Sequence, residues 1–276
     1  MPKKQLLAGK TALVTGAANR IGAQITRTLH QNGANLIIHH RDTGGADAKD
    51  NVSHTSSINA QALEAELNSL RPGSSIRYQA ELSDISAIEA LAQKASLAFG
   101  QLDILINNAS SFYATPLGTI TEQHWTDLLG SNLKAPLFLS QACYPALKKS
   151  NGCIINLLDI YATSPLKNHS LYCSAKAANQ MLVKSLALDM APEVRINGIA
   201  PGAILWPEAK LKDAHINDGS NNYDTQNKQQ QSILDKIPLQ KVGDPYNITQ
   251  TVLFLINNDY ITGEVITVDG GRLLTN

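Results

Sequence analysis

Short apolar runs rich in β-branched residues alternate along this chain with longer segments of helical period, and that alternation restricts the fold more than any other feature. Runs of this length that are apolar throughout are strands buried on both faces, which is the signature of a parallel sheet covered by crossover helices. The strand candidates are Thr11–Thr15, Asn35–His39, Ile76–Ala80, Ile104–Ile106, Cys153–Leu158, Val194–Ala200 and Val265–Val268. Helical periods occupy 20–32, 58–70, 86–99, 121–148, 171–190 and 245–257. Repeated βαβ units of this kind predict an α/β fold in which one doubly wound, seven-stranded parallel sheet carries helices on both faces. At 276 residues the chain suits a single domain over 1–276.

Charge then narrows the partners. The 23 Lys and Arg balance 23 Asp and Glu, which removes the basic footprint of a nucleic-acid or anionic-membrane binder and favours a small-molecule substrate. Cys143, Cys153 and Cys173 have neither paired nor zinc-ligand spacing, so no disulfide framework and no metal site is expected, and a reducing compartment follows. The start, MPKKQLLAGK, lacks an apolar core, and there is no run of about 18 apolar residues. The expected location is therefore cytoplasmic, away from membranes. Two polar stretches, 42–57 and 212–232, read as solvated connections. The second belongs to a variable segment at about 203–235 that follows the sixth strand, where it would overlie a crevice at the strands' C-terminal ends.

Three local patterns carry chemistry. Thr15-Gly16-Ala17-Ala18-Asn19-Arg20-Ile21-Gly22 follows a strand and opens a helix, so its small residues let backbone N–H groups approach a pyrophosphate at the helix N-terminus. Arg20 stands where such a turn often has another glycine, adding a positive charge. After the second strand comes His39-His40-Arg41-Asp42. A basic residue at a strand tip accommodates the 2′-phosphate of NADP and an acidic one the ribose of NAD. Arg41 comes first, which favours NADPH, with Asp42 left to cap the next turn or take the ribose. His40 is a candidate for the 2′-phosphate or the adenine. The third pattern, Tyr172-Cys-Ser-Ala-Lys176, places two side chains four apart on one helix face. There the Lys176 ammonium is expected to favour the Tyr172 phenolate, making the phenol a proton donor near neutral pH.

Together with Asn107-Asn108-Ala109, Asn132, Pro201-Gly202 and Val268-Asp269-Gly270-Gly271, these patterns resemble the short-chain dehydrogenase/reductase family over essentially the whole chain. The resemblance implies a Rossmann-type sheet of order 3-2-1-4-5-6-7, hydride transfer from a nicotinamide cofactor, and a homotetramer or dimer, of which the tetramer is expected here. It further implies that Asn132 orders a proton-relay water and that Lys176 holds the nicotinamide ribose. The cofactor is then lined by Gly16, Arg20, Ile21, His40, Arg41, Asp42, Leu82, Asn108, Ala109, Ser110, Leu157, Tyr172, Lys176, Pro201 and Gly202.

Three departures from the general family pattern add polarity: Arg20 replaces a glycine, Ser110 ends an NNAS motif, and Asp159 stands where a serine is expected. With Phe112 and the HHR sequence, they resemble the pteridine reductases of trypanosomatid parasites. That resemblance implies that Phe112 stacks on a pterin and that Ser110 and Arg20 bind its polar edge. Asp159 and Tyr172 then supply a proton, and Trp206, Tyr161 and Leu166 are wall candidates. The expected reaction is reduction of dihydrobiopterin by NADPH, with biopterin, dihydrofolate and folate as possible further substrates. One alternative is a general NADPH-dependent carbonyl or 3-oxoacyl reductase; another, of a different class, is a non-catalytic nucleotide-sensing scaffold. Asp103, Lys134 and Lys184 read as fold or surface residues, and the apolar residues Leu171, Ala175, Ala178, Leu182, Leu186 and Met190 suggest that part of helix 171–190 meets a second subunit.

Overall fold

The computed structural model describes residues 5–41, 51–204 and 230–275. Seven strands, β1 (Thr11–Val14), β2 (Asn35–His40), β3 (Ser75–Gln79), β4 (Ile104–Asn107), β5 (Cys153–Leu157), β6 (Arg195–Pro201) and β7 (Val265–Val268), form one sheet. All six pairings are parallel and the order is β3-β2-β1-β4-β5-β6-β7, as expected. Between the strands lie α1 (Arg20–Gln31), α2 (Asn51–Leu70), α3 (Ile85–Ala98), α4 (Glu122–Leu129), α5 (Ala135–Ser150), α6 (Ser170–Met190) and α7 (Pro245–Asn257).

Adjacent strand residues point to opposite faces, and the apolar runs supply both layers. Val14, Ile38, Ile106 and Ile155 pack with Ile25 and Leu29 of α1, Leu63 and Leu67 of α2, and Ile248 and Val252 of α7. Their neighbours Leu13, Ile37, Leu105 and Ile154 face the other way, onto Ile88 and Leu91 of α3, Leu139 and Leu147 of α5, and Val183 and Leu186 of α6. Each fully buried side chain of this size contributes about 1.5–3 kcal/mol. The central strands are therefore covered on both faces, and the sheet's C-terminal edge, where the strand order reverses between β1 and β4, is left for a ligand.

Two helices differ from expectation. The period over 121–148 is not one helix: α4 and α5 are separated by a π-helical turn at Gly130–Lys134. Pro136 follows Asn132 by four residues and has no N–H to donate to the Asn132 carbonyl, so the regular ladder must open there. The helix expected from 58 begins at Asn51, so the latter part of the 42–57 connection is helical. Its core stripe includes Ala60, Leu63 and Leu67, while the sequence of its first turns is polar and without a legible period.

Of the α6 residues expected to include a subunit-facing part, Ala178 is exposed and Leu182 half-buried. Leu171, Ala175, Leu186 and Met190 are buried within the protomer, whereas the large exposed apolar side chains of this helix are Met181 and Leu188. Cys143, Cys153 and Cys173 are buried free thiols. Asp103 is buried and holds the β1 start through Lys10 Nζ and the Thr11 N–H, both donating at 2.8 Å. Among the described residues no helix is long and apolar enough to cross a membrane, and no group of three or more His, Cys, Asp or Glu could hold a metal ion.

Candidate active site

The β1–α1 turn is built around glycines that admit no side chain. Gly16 has φ +59°, and a Cβ there would stand 3.0 Å from the Ala109 Cα. A Cβ on Gly22 would collide with the Gly16 carbonyl oxygen and approach Asn108 Nδ2 at 2.5 Å. The Asn108 amide donates to the carbonyls of Thr15 at 2.8 Å and Gly16 at 3.1 Å. Thr15 Oγ1 accepts from the N–H groups of Asn108 and Ala109. The NNA motif after β4 thus acts first as the brace of the glycine turn.

Arg20 opens α1 with φ +48°, the left-handed region where glycine is usual, and is exposed. Asn19 at the N-cap makes no side-chain cap bond and the first turn carries no acidic residue. A helix N-terminus with uncapped N–H groups, a tight glycine turn and a nearby guanidinium suits a pyrophosphate. The described residues therefore fit a dinucleotide cofactor.

At the β2 end, His40 is buried and Arg41 is exposed, 3.7 Å from Glu81 Oε2. An exposed pair of this kind is worth at most about 1 kcal/mol, so Arg41 can exchange Glu81 for another anion at little cost. Leu82 and Leu157 are buried, and Ile21 packs on the core beside the turn. Pro201 ends β6, and Gly202 passes so close to β7 that a Cβ would lie 2.6 Å from the Asp269 Cβ. Asp42 and Trp206 lie outside the described residues, as does 205–229 of the variable segment.

The catalytic candidates converge. The Tyr172 phenol donates to Asp159 Oδ2 at 2.7 Å, and the Tyr161 N–H donates to Asp159 Oδ1 at 2.9 Å. Asp159 is thus both the cap of the short 3₁₀ turn Ile160–Ala162 and the partner of Tyr172. Burial pushes its carboxyl up from the usual range, against the Tyr161 and Tyr172 hydrogen bonds and the charges of Lys176 and Arg272.

Lys176 corrects the expectation drawn from the Tyr-x-x-x-Lys spacing. Its ammonium donates to the Leu157 carbonyl at 2.8 Å and stands 5.7 Å from the Tyr172 ring centroid. Burial pulls it down to about 8. The Tyr172 phenol is pushed up, by burial first and then by the Asp159 charge, so the phenolate is disfavoured.

Asn132 sits in the π turn with its side chain engaged. Its amide donates to the Ser111 and Leu128 carbonyls, both at 2.9 Å, and its Oδ1 accepts from Ser110 Oγ at 2.9 Å. The Asn132 carbonyl, which Pro136 cannot serve, accepts from Asn179 Nδ2 at 2.8 Å. Asn179 Oδ1 accepts from Asn156, and Asn156 Oδ1 accepts from Asn107, each at 2.8 Å. This buried asparagine chain ties β4, β5, α6 and the π turn together, and its satisfied groups resist rearrangement.

Phe112 is half exposed, with its ring 4.8 Å from that of Tyr172 in a T-shaped contact. His169 stacks on it at 4.9 Å and 17°. Tyr161 and Leu166 pack against the small cluster of Leu128, Leu171, Tyr172 and Cys173.

His39, His169, Asn179 and Arg272 were not singled out by sequence. His39 accepts the Gly16 N–H at Nδ1 (3.1 Å), and Arg272 donates to the Tyr161 hydroxyl at 3.0 Å. The adjacency of two histidines at a strand tip was the sequence cue for His39, since neighbours on a strand point to opposite faces.

Comparison with known proteins agrees with this geometry. The family model described as Enoyl-(Acyl carrier protein) reductase matches residues 16–272. Pteridine reductase 1 of Leishmania tarentolae is 32% identical, with 96% of each chain covered. The 3-oxoacyl-(acyl-carrier-protein) reductase FabG of Thermotoga maritima is 29% identical, covering 97% of this chain and 99% of that one. Among solved structures, a putative short-chain alcohol dehydrogenase from Sinorhizobium meliloti superposes with a TM-score of 0.82 at 26% identity, over 99% of this chain and all of that one. The sheet order, the braced glycine turn and the Tyr172–Lys176 helix are thus those of a reductase using an NAD(P)-type nucleotide, and the chain belongs to the short-chain dehydrogenase/reductase family.

Proposed function

We propose that this protein is an NADPH-dependent pteridine reductase acting on dihydrobiopterin and related pterins. The observation that carries this reading is the Asp159–Tyr172 pair beneath Phe112. Reduction at a ring C=N bond requires a proton at nitrogen as hydride reaches the adjacent carbon. A buried carboxyl joined to a phenol holds such a proton near neutral pH. Phe112 supports the substrate class, because a flat nitrogen heterocycle, the His169 imidazole, already lies face to face on it. Similarity to the Leishmania enzyme points the same way.

In this reading NADPH, when bound, supplies the hydride. Lys176 holds the nicotinamide ribose, Arg41 the 2′-phosphate, and Arg20 the pyrophosphate together with the pterin's polar edge. Ser110, fixed by Asn132, contributes a hydroxyl to that edge, and Asn132 acts by holding Ser110 and the π turn. Asp159 accepts from the Tyr172 phenol and so orients it for proton transfer. Met181 and Leu188 are the apolar residues on α6 that a homotetramer would cover.

The test is NADPH oxidation, followed by absorbance, with dihydrobiopterin, biopterin, folate and an acetoacetyl thioester in parallel and NADH as the cofactor control. Turnover of dihydrobiopterin with NADPH supports the reading. An active thioester lane with silent pterin lanes refutes it in favour of a 3-oxoacyl reductase, the activity named for the Thermotoga relative.

A further inference from the structure

After β7 the chain places a cation on Tyr161, the residue whose backbone N–H serves the Asp159 carboxyl. After β7, the Asp269 carboxylate accepts from the N–H groups of Gly271 and Leu273, both at 2.8 Å. Gly270 and Gly271 have φ +67° and +87°, so the chain turns at once into the short 3₁₀ segment Arg272–Leu274. The close passage of Gly202 against Asp269 fixes this turn to the end of β6. The Arg272 backbone is therefore positioned by the sheet edge.

Its guanidinium donates to the Tyr161 hydroxyl at 3.0 Å and lies 5.7 Å from the Tyr161 ring centroid. Its Nε is shielded from solvent and has no hydrogen-bond acceptor among the described residues. Tyr161 in turn donates its backbone N–H to Asp159. One residue thus links Arg272 to the carboxyl that receives the Tyr172 phenol.

The groups acting on Asp159 are Tyr161, Tyr172, Lys176 and Arg272, with Cys173 bearing on the two tyrosines. Lys176 donates to the Leu157 carbonyl. Arg272 is the other cation acting on Asp159.

We propose that Arg272 is a positioning residue for proton delivery: anchored on Tyr161, its guanidinium keeps the Asp159 carboxylate available as the acceptor of the Tyr172 phenol. This rests on the reading of Asp159 and Tyr172 as the proton-delivering pair. Arg272 opposes the effect of burial at Asp159. Its removal leaves Asp159 protonated to higher pH and weakens the hold on Tyr161.

The experiment is a titration of Asp159 by carboxyl carbon NMR in the full-length protein labelled at aspartate, with Asp159→Asn assigning the signal. Arg272→Met is expected to raise the Asp159 midpoint measurably, as loss of an opposite charge does. Arg272→Lys restores part of the shift, because the charge returns without the planar fork. Tyr161→Phe, a smaller perturbation for the case in which Arg272→Met fails to fold, raises it less. The pH midpoint of turnover, on whichever substrate is active, moves the same way. An Asp159 midpoint unchanged in Arg272→Met, or in Tyr161→Phe where that variant alone folds, overturns the proposal. The NMR arm needs no substrate, so failure of the pteridine assignment and failure of this proposal are separable.

Discussion

His39 is the buried group whose ionisation bears most directly on the nucleotide turn. The Gly16 N–H can only donate, so His39 Nδ1 offers its lone pair; the Ala80 carbonyl, 3.1 Å from Nε2, can only accept, so Nε2 carries the hydrogen. The imidazole is therefore neutral and bridges the β1–α1 turn to the end of β3. Burial pulls it down to about 4 from 6.5. Because the folded value is depressed, the unfolded chain takes up a proton first on acidification. Stability from this group is complete above about pH 6.5 and falls as pH drops towards 4. Between pH 7 and pH 5 the loss amounts to about 2 kcal/mol.

Urea unfolding at these two pH values, at one protein concentration, measures it against His39→Asn. Asparagine retains an acceptor for the Gly16 N–H but does not titrate, while all carboxylates are common to both proteins. The acid-induced loss should therefore be larger in the wild type by about 2 kcal/mol. Equal losses in the two proteins would show that His39 is not a buried neutral bridge.

Other perturbations test the rest of the site. Gly22→Ala should destabilise by about 1–3 kcal/mol and weaken NADPH binding, because its methyl has no room, although alanine usually favours a helix; a stabilised variant with unchanged affinity contradicts the packing. Lys176 is depressed to about 8, so the unfolded chain keeps that proton longer and stability should rise with pH from about 8 to 10.5. Lys176→Met should lack this rise, worth up to about 3 kcal/mol, in denaturant titrations of the cofactor-free protein. Tyr172→Phe removes a proton donor but little shape, so the NADPH dissociation constant should change by less than about threefold while turnover falls about 100-fold or more. Asp159→Ser removes the charge that raises the Tyr172 phenol, so ultraviolet difference titration should show one tyrosine ionising at lower pH; an unmoved phenol rules out the carboxylate as a cause.

What was legible in the sequence was local. The doubled apolar pairs Leu13-Val14, Ile37-Ile38, Leu105-Ile106 and Ile154-Ile155 serve opposite layers, so runs apolar throughout reveal a covered parallel sheet without any knowledge of its partners. Gly16, Gly22, Asn108 and Tyr172 were legible because each sits in a short motif with a fixed local geometry. The β2 histidine that grips Gly16 and the arginine that reaches Tyr161 were not, since they act across 23 and 111 residues of chain. The π turn is intermediate. Pro136 four residues after Asn132 marks a carbonyl without its helical donor, but only the fold shows that Asn179 fills the vacancy.

The position of Lys176 alters how the proton chemistry must be understood. A lysine four residues after a tyrosine suggests an acidified phenol, yet here the ammonium is held by Leu157 and the phenol faces a carboxylate. A phenol beside a negative charge is a weaker acid, and alone it would be a poor donor to a carbonyl oxygen. The same neighbour is itself pushed towards protonation by burial. In the proposed function, carboxyl and phenol work as one hydrogen-bonded acid pair. Such an acid suits a basic ring nitrogen, which accepts a proton from a partner of modest acidity, better than it suits a ketone oxygen. Under the proposed function, Asp159 is therefore the residue that would set which kind of substrate the site protonates.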